Sequence, residues 1–236
     1  MNSRKLLFVL VFILPFNLFG QSAQDYYKSA MIKFVSHRYD EAVQDFSKAI
    51  KAKPDYVDAY FNRGIAYEQL GSTDKAIRDY GKVIKIKPGM NEAYINRALL
   101  YKKSDKYSLA IKDLDKAIEL RPDFVFAYLY RADIYYTIDS LSLAAKDYKV
   151  VLAKLPNYIK AHRRMAEIRY KQSQFPEALE YASKICELES DKAENFLLRA
   201  EILIALQRIE PACKDLARAK ELGSEAAKPL AVKYCK

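Results

Sequence analysis

The chain has 236 residues and a formal net charge of +10, with 51% hydrophobic and 30% charged residues but only 6 glycines and 8 prolines. So few structure breakers exclude a collagen-like or low-complexity disordered chain and disfavour a many-turned barrel of short strands, leaving helix as the expected element. The length admits one or two ordinary domains, or a stack of short repeats that never builds a single central core.

Residues 1–22 read as a secretory signal peptide. Arg4 and Lys5 precede an apolar run from Leu6 to Phe19, and the small residues Gly20, Ser22 and Ala23 follow. As a helix that run spans roughly 21 Å, short of a hydrocarbon core of about 30 Å, so no integral membrane segment is expected after cleavage. The mature protein is then basic and exported, periplasmic or extracellular, with a bacterial envelope as the expected setting.

From Ala23 onward a period of 34 residues governs the chain. Pro54, Pro88, Pro122 and Pro156 recur at that step, and Ala42, Ala76, Ala110, Ala144, Ala178 and Ala212 keep it without a miss. Six repeats begin at Ala23, Val57, Asn91, Val125, Ile159 and Ala193, covering 23–56, 57–90, 91–124, 125–158, 159–192 and 193–226. Position 4 of each is Tyr26, Tyr60, Tyr94, Tyr128, His162 or Phe196, and position 8 is a small residue, Ala or Gly64. These share one helical face with position 11. A second periodic stretch follows, with alanine at position 20 and usually a bulky residue at 24, so each repeat reads as two helices. Gly71 in the turn, and Asp40, Glu41 and Asp74 at the start of second helices, supply the stop and start signals.

The pattern, best matched by Tyr60, Gly64, Tyr67, Ala76, Tyr80 and Pro88, resembles the tetratricopeptide repeat family over nearly the whole mature chain. Departures are Lys33 at position 11 of repeat one, and Ser190 and Ser224 in place of the closing proline of repeats five and six. The resemblance implies an all-α fold, a right-handed α-solenoid of six helical hairpins over 23–222, whose concave face binds peptides or helices of other proteins. A capping helix is expected over 224–236.

A second ladder accompanies the first. Position 7 reads Ser29, Arg63, Arg97, Arg131, Met165 and Arg199, and position 23 reads Asp45, Asp79, Asp113, Asp147, Tyr181 and Asp215. Because repeat five loses both members together, the pairing expected is an ion pair between the two helices of one repeat.

Three cysteines in an exported chain leave one possible pair and one thiol over. If the last helix folds back as an antiparallel hairpin about Ser224, Cys213 faces Cys235, which predicts a disulfide there. Cys186, at position 28 of its repeat against 21 for Cys213, is offset along the helix by roughly 10 Å, outside bridging range.

The sequence carries no Walker loop, no G-x-S-x-G, no HExxH and no CxxC, so neither enzyme activity, a cofactor nor a metal is expected. Function is placed instead in the groove. The resemblance turns positions 2, 5, 6, 9, 12 and 13 inward. Phe61, Ile95, Leu129, Tyr130 and Tyr136 then offer apolar and aromatic surface, and the amides of Asn62 and Asn96 either hold the backbone of an extended peptide or merely solvate the helix. Lys160 and Arg164, with Glu167 one turn on, match two cationic positions of the family's carboxylate clamp, while Ile95, Leu99 and Tyr130 break the match, leaving at most an anion contact. The reading is a protein-interaction scaffold for a protein or peptide partner. Its alternative is binding of a lipid head group, glycan or nucleic acid through a basic surface, although the positive charge is spread nearly evenly over the repeats.

Overall fold

The computed structural model describes residues 22–235, and the expected signal peptide lies outside the described residues. All regular structure described is α-helical. The helices are α1 (Ala23–Val35), α2 (Tyr39–Ala52), α3 (Val57–Gln69), α4 (Thr73–Ile86), α5 (Asn91–Lys103), α6 (Tyr107–Leu120), α7 (Val125–Thr137), α8 (Leu141–Lys154), α9 (Ile159–Lys171), α10 (Phe175–Leu188), α11 (Ala193–Ala205), α12 (Ile209–Glu221) and α13 (Ala227–Tyr234). Successive pairs form six helical hairpins, and α13 packs on α12. The last helix is shorter than the sequence suggests, because Gly223 takes a positive φ of 92° and residues up to Ala226 still form the turn.

Each first helix ends in the same way. Position 15 adopts the left-handed conformation in all six repeats, at His37, Gly71, Asp105, Asp139, Ser173 and Gln207. The next residue's N–H reaches back to the carbonyl five residues earlier, as in Arg38 to Lys33 at 2.9 Å and Ser72 to Tyr67 at 2.8 Å. This is the Schellman closure, which satisfies carbonyls that the helix end leaves open. The closing prolines lie just beyond second helices, where no N–H is available to continue the ladder.

The chain divides into two compact units, one ending at Ile86 and the other starting at Lys87. In the first, Ala30, Ala42, Phe46, Ala49 and Ala59 form a closed core with Tyr26, Tyr27 and Tyr56 against it. The position 8 rule has a direct cause here: a Cβ added to Gly64 would lie 2.9 Å from the Tyr80 ring. In the second unit, Leu129, Ala132, Tyr148, Ala161, Met165 and Ile168 belong to one cluster, and Ala200, Leu216, Ala219 and Ala227 close the C-terminal end. Small residues at 8 and 20 let helices approach, and the large ones at 4, 11 and 24 fill the remaining space.

The ladder of arginine and aspartate joins the two helices of a repeat. Arg63, Arg97, Arg131 and Arg199 each grip Asp79, Asp113, Asp147 and Asp215 with two hydrogen bonds of 2.6–2.8 Å. Two of them also reach the second helix of the repeat before, Arg63 to Ser47 at 2.9 Å and Arg131 to Asp115 at 2.5 Å. One guanidinium therefore ties three helices, an arrangement that pairing rules on the sequence alone did not expose. Cys213 and Cys235 form a disulfide with Cα atoms 5.6 Å apart, fixing α13 to α12.

Candidate functional site

The inward positions named from sequence fall into two groups, one in each unit. In the first unit the Phe61 ring packs 5.6 Å from the Tyr80 ring. Asn62 donates its amide to the Tyr27 hydroxyl and to the Asp58 carbonyl, both at 2.9 Å. With both N–H groups engaged, only its carbonyl oxygen is left to accept, so the two-way grip on a peptide backbone expected of this amide is not available.

In the second unit, Ile95 is 7% exposed and Leu129 3%. They are core, not groove floor. At these two residues position 5 points into the packing between hairpins, as the neighbours of Leu129, including Tyr148, Ala161 and Met165, make plain. An accessible aromatic surface lies on α7. On α7, Tyr130 is half-buried beside Phe126, which is 40% exposed, with their rings 6.5 Å apart. Asn96, on α5, is half-buried.

Next to this aromatic pair lies an ionic array. Asp133 accepts from the Tyr148 hydroxyl at 2.7 Å and from Lys160 at 2.6 Å, with Lys102 at 3.7 Å. Glu167 accepts from the Tyr136 hydroxyl at 2.9 Å and from Arg164 at 2.7 Å. The Arg164 guanidinium also lies 4.4 Å from the centre of the Tyr136 ring, and Lys171 lies 5.1 Å from it. Burial, then the Glu167 carboxylate, raises the Tyr136 hydroxyl above its ordinary range, and burial with Asp133 does the same to Tyr148 more strongly. Both phenols are hydrogen-bond donors rather than bases. Lys160 and Arg164 thus stand in fixed positions, each already paired with a carboxylate, which weakens the free anion contact expected of them. Asp133, Glu167 and Phe126 complete the face. The sequence signal for them was available at positions 9 and 2, the same inward register as their partners.

The other candidate groups are structural. His162 is buried at position 4, its Nε2 2.7 Å from the Pro156 carbonyl oxygen and its ring 5.8 Å from that of Tyr181. Cys186 is buried, and burial pushes its thiol up to about 11, so it is a packing residue rather than a nucleophile. No group of three or more His, Cys, Asp or Glu side chains suited to a metal occurs among the described residues.

Comparison with known proteins agrees with this geometry. A family model described as TPR repeat matches residues 36–71, and one described as Tetratricopeptide repeat matches 57–90 and 92–124. Residues 36–90 and 92–124 thus match tetratricopeptide repeats, and the same 34-residue helical hairpin recurs from Ala23 onward. No curated protein matches it in sequence. Among solved structures, it is similar to YrrB, described as a TPR protein with an unusual peptide-binding site (17% identity, 80% of this chain and 97% of that one, TM-score 0.71). It is also similar to MamA (24% identity, 74% and 96%, TM-score 0.68) and to PilW, described as a widely conserved type IV pilus biogenesis factor (23% identity, 89% and 99%, TM-score 0.63).

Proposed function

We propose that the protein is a non-enzymatic interaction scaffold of the cell envelope, which binds a segment of a partner protein on the inward face of α7 and α9. The observation that carries this reading is the juxtaposition of exposed Phe126 and half-buried Tyr130 with the Tyr136, Arg164, Glu167 array. Aromatic side chains supply contact area at little entropic cost, and cations already held in place by carboxylates orient polar groups of a ligand without first being ordered. Phe61 and the carbonyl oxygen of Asn62 offer a smaller surface of the same kind in the first unit. The peptide-binding site in the description of YrrB and the pilus-biogenesis description of PilW support the same class of role. An envelope location is supported by the basic, apolar leader and by the disulfide.

The test compares wild type with Tyr130→Ala and Arg164→Ala in affinity capture from envelope extract, read by mass spectrometry. Both variants should keep their helical circular dichroism and lose the same protein partner. A partner set unchanged in both variants would remove this face from consideration.

A further inference from the structure

Repeat five relocates a positive charge rather than losing it. Its positions 7 and 23 are Met165 and Tyr181, and the arginine appears at position 11, as Arg169, where repeats two to four carry Tyr67, Tyr101 and Tyr135. Arg169 is ion-paired with Glu177 at 2.9 Å and donates to Gln172 and Gln174 at 2.8 and 2.7 Å. A second change stands opposite it, at position 25 of the preceding repeat. Arg63 and Arg131 meet an oxygen there, from Ser47 and Asp115, whereas the residue before repeat five is Lys149.

The outcome is an open surface hollow of about 270 Å³ at the junction of α8 and α9, lined by Ser142, Ala145, Lys146, Lys149, Arg169 and Gln172. No acidic side chain lines it. Glu177 offsets one of the three positive charges, and Lys146 and Lys149 make no ion pair among the described residues. The nearest acid on α8, Asp147, is 2% exposed and is held by two hydrogen bonds from Arg131. Ser142, Lys146 and Lys149 are exposed and Arg169 and Gln172 half-buried, so this is an open hollow of positive potential, and an anion entering it meets cations and neutral donors but no carboxylate in its lining.

We propose that this hollow binds a phosphate dianion. Two uncompensated ammonium groups match a dianion, and the Ser142 hydroxyl, the Gln172 amide and the Arg169 guanidinium supply further donors to its oxygens. The site uses positions 18–25 of one repeat and 11–14 of the next, away from the inward face, and stands whether or not that face binds a peptide. The group comes either as free phosphate or as the head group of a phosphatidic acid.

The experiment titrates inorganic phosphate into the 15N-labelled full chain and, separately, sediments the protein with phosphatidylcholine vesicles containing phosphatidic acid. The expected result is saturable shifts of amides in 142–149 and 169–172, weakened at least tenfold by Lys149→Asp, which restores an acid where Asp115 stands one repeat earlier. Lys146→Gln with Lys149→Gln should give the same loss without introducing a charge. Lys75→Ala with Arg78→Ala, in a separate basic hollow of repeat two, should change nothing. Vesicle binding that Lys149→Asp abolishes, without saturation by free phosphate, assigns the group to a lipid. Shifts that fail to saturate together with vesicle binding that ignores both lysine variants would overturn the proposal.

Discussion

At position 23 a buried aspartate recurs in five repeats, and repeat one shows how it is satisfied when position 7 offers only a serine. Asp45 accepts from Ser29 at 2.7 Å, Lys33 at 2.6 Å and Lys48 at 2.9 Å. Lys33 departs from the family pattern at position 11, yet it carries the charge that repeats two, three, four and six place at position 7. Burial disfavours the charged carboxylate, but the bonds from Lys33, Ser29 and Lys48 outweigh it and hold the Asp45 carboxyl well below the usual carboxylate range. A carboxyl with a folded pKa below its unfolded value of about 4 contributes stability above that pH and loses it as pH falls through the folded value. Lys33→Met should therefore cost about 2 kcal/mol in urea unfolding at pH 7, a typical value for a hydrogen bond to a charged group. That difference should shrink as the pH is lowered below 4. A cost that stayed constant with pH would place the contribution of Lys33 in packing instead.

At the scale of the element, the helix boundaries were the most legible feature, because proline, alanine and aromatic residues all keep one 34-residue step and every first helix begins at position 1. The inward face was less legible. Position 5 carries Tyr27, Phe61, Ile95, Leu129, Arg163 and Leu197, and a single register number does not say that two of these turn into the packing between hairpins. Side-chain length and the neighbouring hairpin decide that. The turn was half legible: Gly71 marks it in repeat two, while five other residues occupy the same left-handed conformation without glycine's freedom. Gln207, with φ of 59°, has neither glycine's lack of a Cβ nor the short polar side chain that lets asparagine and aspartate tolerate this region. Gln207→Gly should stabilise the protein by about 1 kcal/mol, net of the added freedom of the unfolded chain, visible as a higher urea midpoint at unchanged slope. Gly71→Ala should shift the midpoint the other way. If Gln207→Gly lowers it, the glutamine side chain contributes more than its backbone conformation costs.

Within each of the two units, hairpins packed on their sequence neighbours give a stability close to a sum of repeat terms and interface terms, so the end of the second unit is expected to open early. The C-terminal end is treated accordingly. α13 has eight residues, too few to persist alone, and it is held by the Cys213–Cys235 bond and by the cluster of Ala200, Leu216, Ala219 and Ala227. The pairing was accessible from the sequence because a hairpin fixes which residues face one another, whereas the length of α13 was not, since the turn continues through Ala226. Closing a loop of 22 residues is worth about 3 kcal/mol in the chain-entropy account. Hydrogen exchange should show this as a local effect. Cys213→Ser with Cys235→Ser should remove most protection from α13, lower it in α12, and leave α7 and α8, two repeats away, unchanged. An equal loss of protection in α7 and α8 would mean that the second unit unfolds as one cooperative body, and that the bond stabilises all of it rather than its end.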